Sequence, residues 1–272
     1  MNAFARIGGL VVLASLAVAG CTSSGASPTA TVAPSAEVTA TPSAPVATPT
    51  PTPTAPAGPV CAVEDRHYAD TNTLGSWSRD QHFPVFSVCP GAAAMNVAVG
   101  AKLEQTIGDF GTRAADLVRS EWPSTIEITY TIAYSSPALL SLRMVFVEDF
   151  HGAHPGTLYA GLNFRVSDGS SIALESLFTD AAAGLNVLST RSRALLTTQL
   201  GADGDPTSIN DGTTPVAANF NEAWAFTAAG LEITFQQYQV GPYAIGAPVV
   251  VIPWSDLASV VAPVGPAAGF LP

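Results

Sequence analysis

The chain has 272 residues, 47% of them hydrophobic and 11% charged, with 10 Lys+Arg against 21 Asp+Glu and a net charge of −11. That apolar content excludes a disordered protein, and the acidic balance makes nucleic acid and anionic headgroups poor partners while favouring a cationic protein or peptide. From Cys61 onward there are nine Lys+Arg against twenty Asp+Glu, so the whole imbalance sits in the part of the chain able to fold.

In chain order, Arg6 precedes an apolar stretch from Ile7 to Ala19 that is too short for a permanent bilayer span. It runs into Leu16-Ala17-Val18-Ala19-Gly20-Cys21, which resembles a bacterial lipobox. In that pattern small residues let the backbone enter the signal-peptidase cleft, and the following thiol receives a diacylglycerol thioether. The expectation is a lipoprotein signal peptide over 1–20 and lipid attachment at Cys21. The protein would then sit on the outer face of the bacterial cytoplasmic membrane, extracytoplasmic and lipid-anchored. Residues 21–60 form a Ser/Thr/Ala/Pro linker with one charge, Glu37, and the alternating run Thr48 to Thr54. Such a composition cannot bury a core; its prolines favour polyproline II, giving a reach of at most roughly 120 Å.

Cys61 and Cys89 remain after Cys21 is assigned. In an oxidising compartment two thiols in one domain are expected to bridge. The loop of 28 residues would gain roughly 3–4 kcal/mol through the unfolded state.

The folded region reads as α+β, a mostly antiparallel sheet with two main helices, divided into 61–160 and 161–272. Val99, Leu103, Ile107, Phe110, Ala114 and Leu117 recur at helical spacing within Met95 to Arg119. Alternation then predicts strands through Ile126 to Tyr134, Leu140 to Phe146 and Leu158 to Val166. Ser167-Asp168-Gly169 reads as a hairpin turn into Ile172 and Leu174, and a second helix is expected over Leu185 to Leu200, with Leu188, Leu195 and Leu196 inward. Gly201 to Pro215 reads as a polar loop, and Ala223 to Thr227, Leu231 to Phe235 and Val249 to Ile252 as closing strands.

Four stretches in this succession resemble the ectodomain family of RsiV-type anti-sigma factors. They are His82-Phe83-Pro84-Val85-Phe86 before the Asn96 helix, and Phe150-His151-Gly152-Ala153-His154-Pro155. The others are Ser167 to Phe178, and the segment from Gly230 to Leu257 with Tyr238, Gly241-Pro242-Tyr243-Ala244 and Ile252-Pro253-Trp254. The resemblance implies an extracytoplasmic binding domain, in some members a receptor for lysozyme, and extends to secreted immunogenic proteins and modules beside peptidoglycan deacetylases. This chain departs from it in having a lipoprotein leader in place of a cytosolic sigma-binding segment, and in carrying His151 where the family has Gly.

The sequence has no Gly-x-Ser-x-Gly elbow, no His-Glu-x-x-His, no phosphate-binding loop and no cysteine spacing suited to zinc. The reading is therefore non-enzymatic, with no catalytic residues and no cofactor; a cell-wall hydrolase or deacetylase-associated protein is the alternative. Asp149, His151 and His154 are the one cluster of metal-ligating types singled out. Lacking a helix to align them, they read as turn-forming or partner-contacting residues and no metal is assigned. With Tyr238 and Tyr243 they make up the candidate ligand contacts, Tyr243 being expected as the more exposed aromatic. A basic muramidase or another envelope protein is the expected partner, beside the membrane itself through the anchor.

Overall fold

The computed structural model describes residues 60–72, 76–117 and 122–271. The expected signal peptide, Cys21 and nearly all of the linker lie outside the described residues. Among those described, no helix is long and apolar enough to cross a membrane.

Strands β1 (Ala62–Thr71) and β2 (Trp77–Ser87) form an antiparallel hairpin, and helix α1 (Ala92–Asp116) carries the chain over to β3 (Ser124–Ser135). β3 lies parallel to β2, then pairs antiparallel with β4 (Leu139–Asp149), which pairs with β5 (Gly156–Arg165), giving the sheet order β1-β2-β3-β4-β5. A long crossover is what a parallel neighbour requires, and α1 supplies it. Helix α2 (Ala181–Leu200), the short α3 (Pro206–Gly212) and the antiparallel strands β6 (Trp224–Phe226), β7 (Gly230–Thr234) and β8 (Val249–Pro253) follow, closed by α4 (Trp254–Leu257). The architecture is α+β, with one parallel pair inside an otherwise antiparallel first sheet.

One core fills the space between α1 and one face of the five-stranded sheet. Met95, Val99, Leu103 and Phe110 of the helix stripe meet Ile126, Ile128, Leu142, Met144 and Phe146. At the end of α1, Arg113 donates two hydrogen bonds to the buried Glu148 carboxylate, satisfying a charge that would otherwise be stranded in this core. The second core lies between the three-stranded sheet and the later helices, with Leu188, Leu196, Phe220, Leu231, Phe235 and Ile252. Phe226 packs there parallel to Trp254 and Phe270, and the latter two rings are 4.5 Å apart. The two cores meet at Gly161 of β5, where an added Cβ would fall 2.0 Å from the Trp224 carbonyl oxygen. Asn163 Nδ2 donates to that same oxygen at 2.9 Å, and the Phe226 N–H donates to Ser141 Oγ. The expected boundary between 160 and 161 thus falls inside a strand paired along its length.

Several expectations need correction. The polar stretch between the cysteines, for which no element was expected, is largely the β1–β2 hairpin. Cys61 and Cys89 are bonded, with Cα atoms 4.7 Å apart, joining the start of β1 to the turn after β2. Gly201 to Pro215 contains α3, capped by the Asp205 carboxylate accepting from Ser208 N–H, with Pro206 at its first position. The turn at Gly169 is present, closed by its N–H donating to Arg165 O, but the hairpin is cut to a single bridge between Phe164 and Ser171 before a 3₁₀ turn over Leu174–Leu177. Leu195, Leu117 and Leu158, assigned inward, are exposed.

Candidate functional site

The β4–β5 connection divides its polar side chains between two jobs. Asp149 Oδ1 accepts the His151 N–H at 2.7 Å, holding His151 at φ 55°. His151 Nε2 stands 2.9 Å from the Pro123 carbonyl; a carbonyl only accepts, so this nitrogen carries the proton. The ring also lies edge-on to Trp122. Asp149 and His151 therefore fasten the loop to the segment entering β3.

His154 points elsewhere. Its Nδ1 is 3.2 Å from the Pro155 carbonyl and so donates, leaving Nε2 to accept from the Tyr238 hydroxyl at 3.1 Å. The Tyr243 ring stacks on the imidazole with centroids 3.6 Å apart, while its hydroxyl donates to Pro155 O. Tyr238 and Tyr243 are 5.9 Å apart, so three rings from two distant loops form one surface platform. Of the five expected contact residues, His154, Tyr238 and Tyr243 come together; Asp149 and His151 do not join them. Tyr238, at 60% exposure, is the open aromatic, and Tyr243 is half-buried, reversing the expected order.

Tyr238 sits at φ 66°, a conformation that is costly for a bulky side chain and persists only when its surroundings impose it. Three glutamines impose it. Gln236 accepts from Tyr159 N–H and donates to Tyr159 O, Gln237 accepts from Thr157 N–H, and Gln239 donates to Gly212 and Asn219 carbonyls. The first two occupy the free edge of β5 as a neighbouring strand would, which satisfies its amides and blocks sheet extension there. The platform is anchored backbone carrying an exposed ring.

Chemically it offers ring faces and phenol hydroxyls, with no nucleophile beside an activating base. Trp224 of β6 and Trp254 at the start of α4 are core residues. A second cluster escaped the sequence reading: His67, Asp80 and His82, whose ligand atoms lie within 4.8 Å of one another on the β1–β2 hairpin. His67 Nε2 is 2.7 Å from Asp80 Oδ1, and His82 Nδ1 is 2.8 Å from Asp65 Oδ2, a hydrogen bond that raises the His82 pKa above the ordinary histidine range. The signal was present as two Asp-x-His triplets, Asp65-Arg66-His67 and Asp80-Gln81-His82, because strand period places residues two apart on one face.

Residues 175–255 match a family model described as a protein of unknown function, DUF3298. That segment holds Tyr238, Tyr243 and most of the second core, and leaves the five-stranded sheet outside it. The crystal structure of a DUF3298 family protein from Pseudomonas aeruginosa PAO1 superposes with a TM-score of 0.54 at 14% identity, over 78% of this chain and 97% of that one. The two share a fold. A DUF3298 family member from Bacteroides fragilis gives a TM-score of 0.49, also at 14% identity, over 75% and 94% of the two chains. Among curated proteins no match is found.

Proposed function

We propose that this chain is a lipid-anchored, non-enzymatic binding domain of the RsiV type, displayed outside the cytoplasmic membrane. Its ligand is a basic envelope protein, and a muramidase such as lysozyme fits best. The observation that carries the reading is Tyr238: an exposed aromatic in a strained backbone held by three glutamines and backed by His154 and Tyr243. Rigid tyrosines bury a large contact area at small entropic cost, which is why such residues concentrate binding energy at protein interfaces. A net charge of −11 steers a cationic partner toward the domain and disfavours acidic ones. The lipobox-like run ending at Cys21 and the Pro/Thr-rich linker supply the tether.

Titrating the detergent-solubilised full chain with lysozyme at several salt concentrations tests this directly. Saturable binding that weakens as salt rises supports it; no saturable binding even at low salt removes that partner. Cys21→Ser tests the anchor, because two acyl chains give stable attachment and their loss should release the protein to the medium. Retention of that variant in the membrane fraction would contradict lipid anchoring.

A further inference from the structure

We propose that His67, His82 and Asp80 form a divalent transition-metal site of the zinc type on the open face of the β1–β2 hairpin, with Asp65 as the group that orients one ligand. His67 and His82 are direct cross-strand partners, their rings parallel within 14° and 4.5 Å apart. Asp65 and Asp80 flank this pair two residues away on either strand, so the hairpin repeats Asp-x-His about a local two-fold centred on the imidazoles. Each histidine is bonded to the carboxylate of the opposite strand.

Imidazole nitrogen with carboxylate oxygen is a zinc donor set. Metal–ligand bonds of about 2.0–2.2 Å place tetrahedral ligand atoms about 3.4 Å apart. The observed 4.8 Å limit closes to that by rotation of exposed side chains. His82 has committed Nδ1 to Asp65, leaving Nε2 for a metal, the carboxylate–histidine arrangement that fixes the ring of a metal ligand. The metal takes the place of the proton now shared by His67 Nε2 and Asp80, and that proton leaves to solvent.

The face is electrostatically suited to a cation. By strand alternation Arg66 and Arg79, the arginines of β1 and β2, project to the other face, while Glu127 of β3 is paired in register with Asp80 on this one. Glu127 or water fills the fourth position. Beside the cluster is a hollow of about 510 Å³ lined by Ser78, Asp80, Thr125 and Glu127, and by Arg79, whose charge is paired with Asp70; it leaves the metal reachable from solvent.

The test is calorimetric titration of the EDTA-stripped full chain with zinc, read together with the imidazole NMR signals. One zinc per chain is expected, with the His67 and His82 resonances shifting and those of His151 and His154 unmoved. His67→Ala and His82→Ala should each abolish saturable binding, and Asp65→Asn should weaken it by about 10–100-fold. Absence of saturable zinc binding by the wild-type chain overturns the proposal. So does stoichiometric binding that leaves the His67 and His82 signals in place, a readout that needs no variant to fold.

Discussion

The two halves of the domain bury their apolar residues by different means. The first, β1 to β5 with α1, is regular: one helix stripe on one sheet face, with inward residues at spacings of two along strands and three or four along the helix. The second, from Leu174 to Leu271, packs α2 against three-to-five-residue strands, 3₁₀ turns and stacked aromatic rings. Regular packing needs only one sheet face; the second half covers the opposite face at β4 and β5 and leaves it open at β1 and β2, where the His67–His82 cluster lies. Irregular packing creates loops, and one of these, pinned by glutamines to the edge of β5, carries Tyr238. The aromatic platform therefore belongs to neither half alone: His154 comes from the first and the two tyrosines from the second.

The largest expected effect tests whether the halves are one cooperative unit. Phe146→Ala in the first core and Phe226→Ala in the second each remove a fully buried ring and should each cost about 3–5 kcal/mol. Because β5 runs through both regions and Gly161 abuts Trp224, both variants should lower one shared transition in calorimetry. Two separated transitions would show that the halves melt independently.

Next in size is the bridge between Cys61 and Cys89, which closes a loop confined to the regular half. Replacing both cysteines with alanine should lower stability by roughly 2–4 kcal/mol in urea unfolding and leave lysozyme affinity unchanged. A loss of affinity at temperatures where the variant remains folded would connect the β1–β2 hairpin to the platform.

Smaller is the relief of strain at Val88. This β-branched residue sits at φ 73°, is 74% exposed, and gains little from packing that would justify the conformation. Val88→Asn should stabilise by roughly 0.5–1 kcal/mol, seen as a raised Tm, since asparagine tolerates the left-handed region. A lowered Tm would mean that the valine side chain contributes more than its exposure indicates.

The smallest effect is a pH dependence at the β1–β2 hairpin. Hydrogen bonding to Arg79 is the leading cause that holds the Asp70 carboxyl below its ordinary range. A depressed folded-state pKa gives stability that is present above the unfolded value, about 4, and lost as pH falls through the folded one. The gap in urea midpoint between wild type and Asp70→Asn should therefore be widest near neutrality and shrink below about pH 4. A gap that widens in acid would reverse the sign.

How much of this the sequence carries follows the same division. β3, β4, α1 and the three closing strands are legible because each buries one face, so alternation or helical spacing survives in the residue order. β1 leaves no such trace: Glu64, Arg66 and Tyr68 on one face and Asp65 and His67 on the other are all exposed. β2 mixes Arg79 and Gln81 into its inward row. The metal-type cluster was hidden for the same reason, since its geometry depends on the register of that unrecognised hairpin. α3 falls within the stretch expected as a polar loop, although Asp205-Pro206, a cap followed by proline, is a signal for it. The platform residues were identifiable by type, but the meeting of His154 with Tyr238 depends on glutamine contacts between loops about eighty residues apart, which no local pattern encodes.

The measurement that bears most directly on the binding account is lysozyme affinity after Tyr238→Asn, set against Tyr68→Asn on β1. Asparagine accepts a φ of 66°, so the loop is retained while the ring is lost. Tyr68, 44% exposed, controls for the loss of any surface tyrosine. The account predicts at least about a 30-fold loss for Tyr238→Asn, a hot-spot effect of about 2 kcal/mol, and a change within about twofold for Tyr68→Asn. Wild-type affinity in the Tyr238→Asn protein, with the Tyr68→Asn protein impaired, would contradict it.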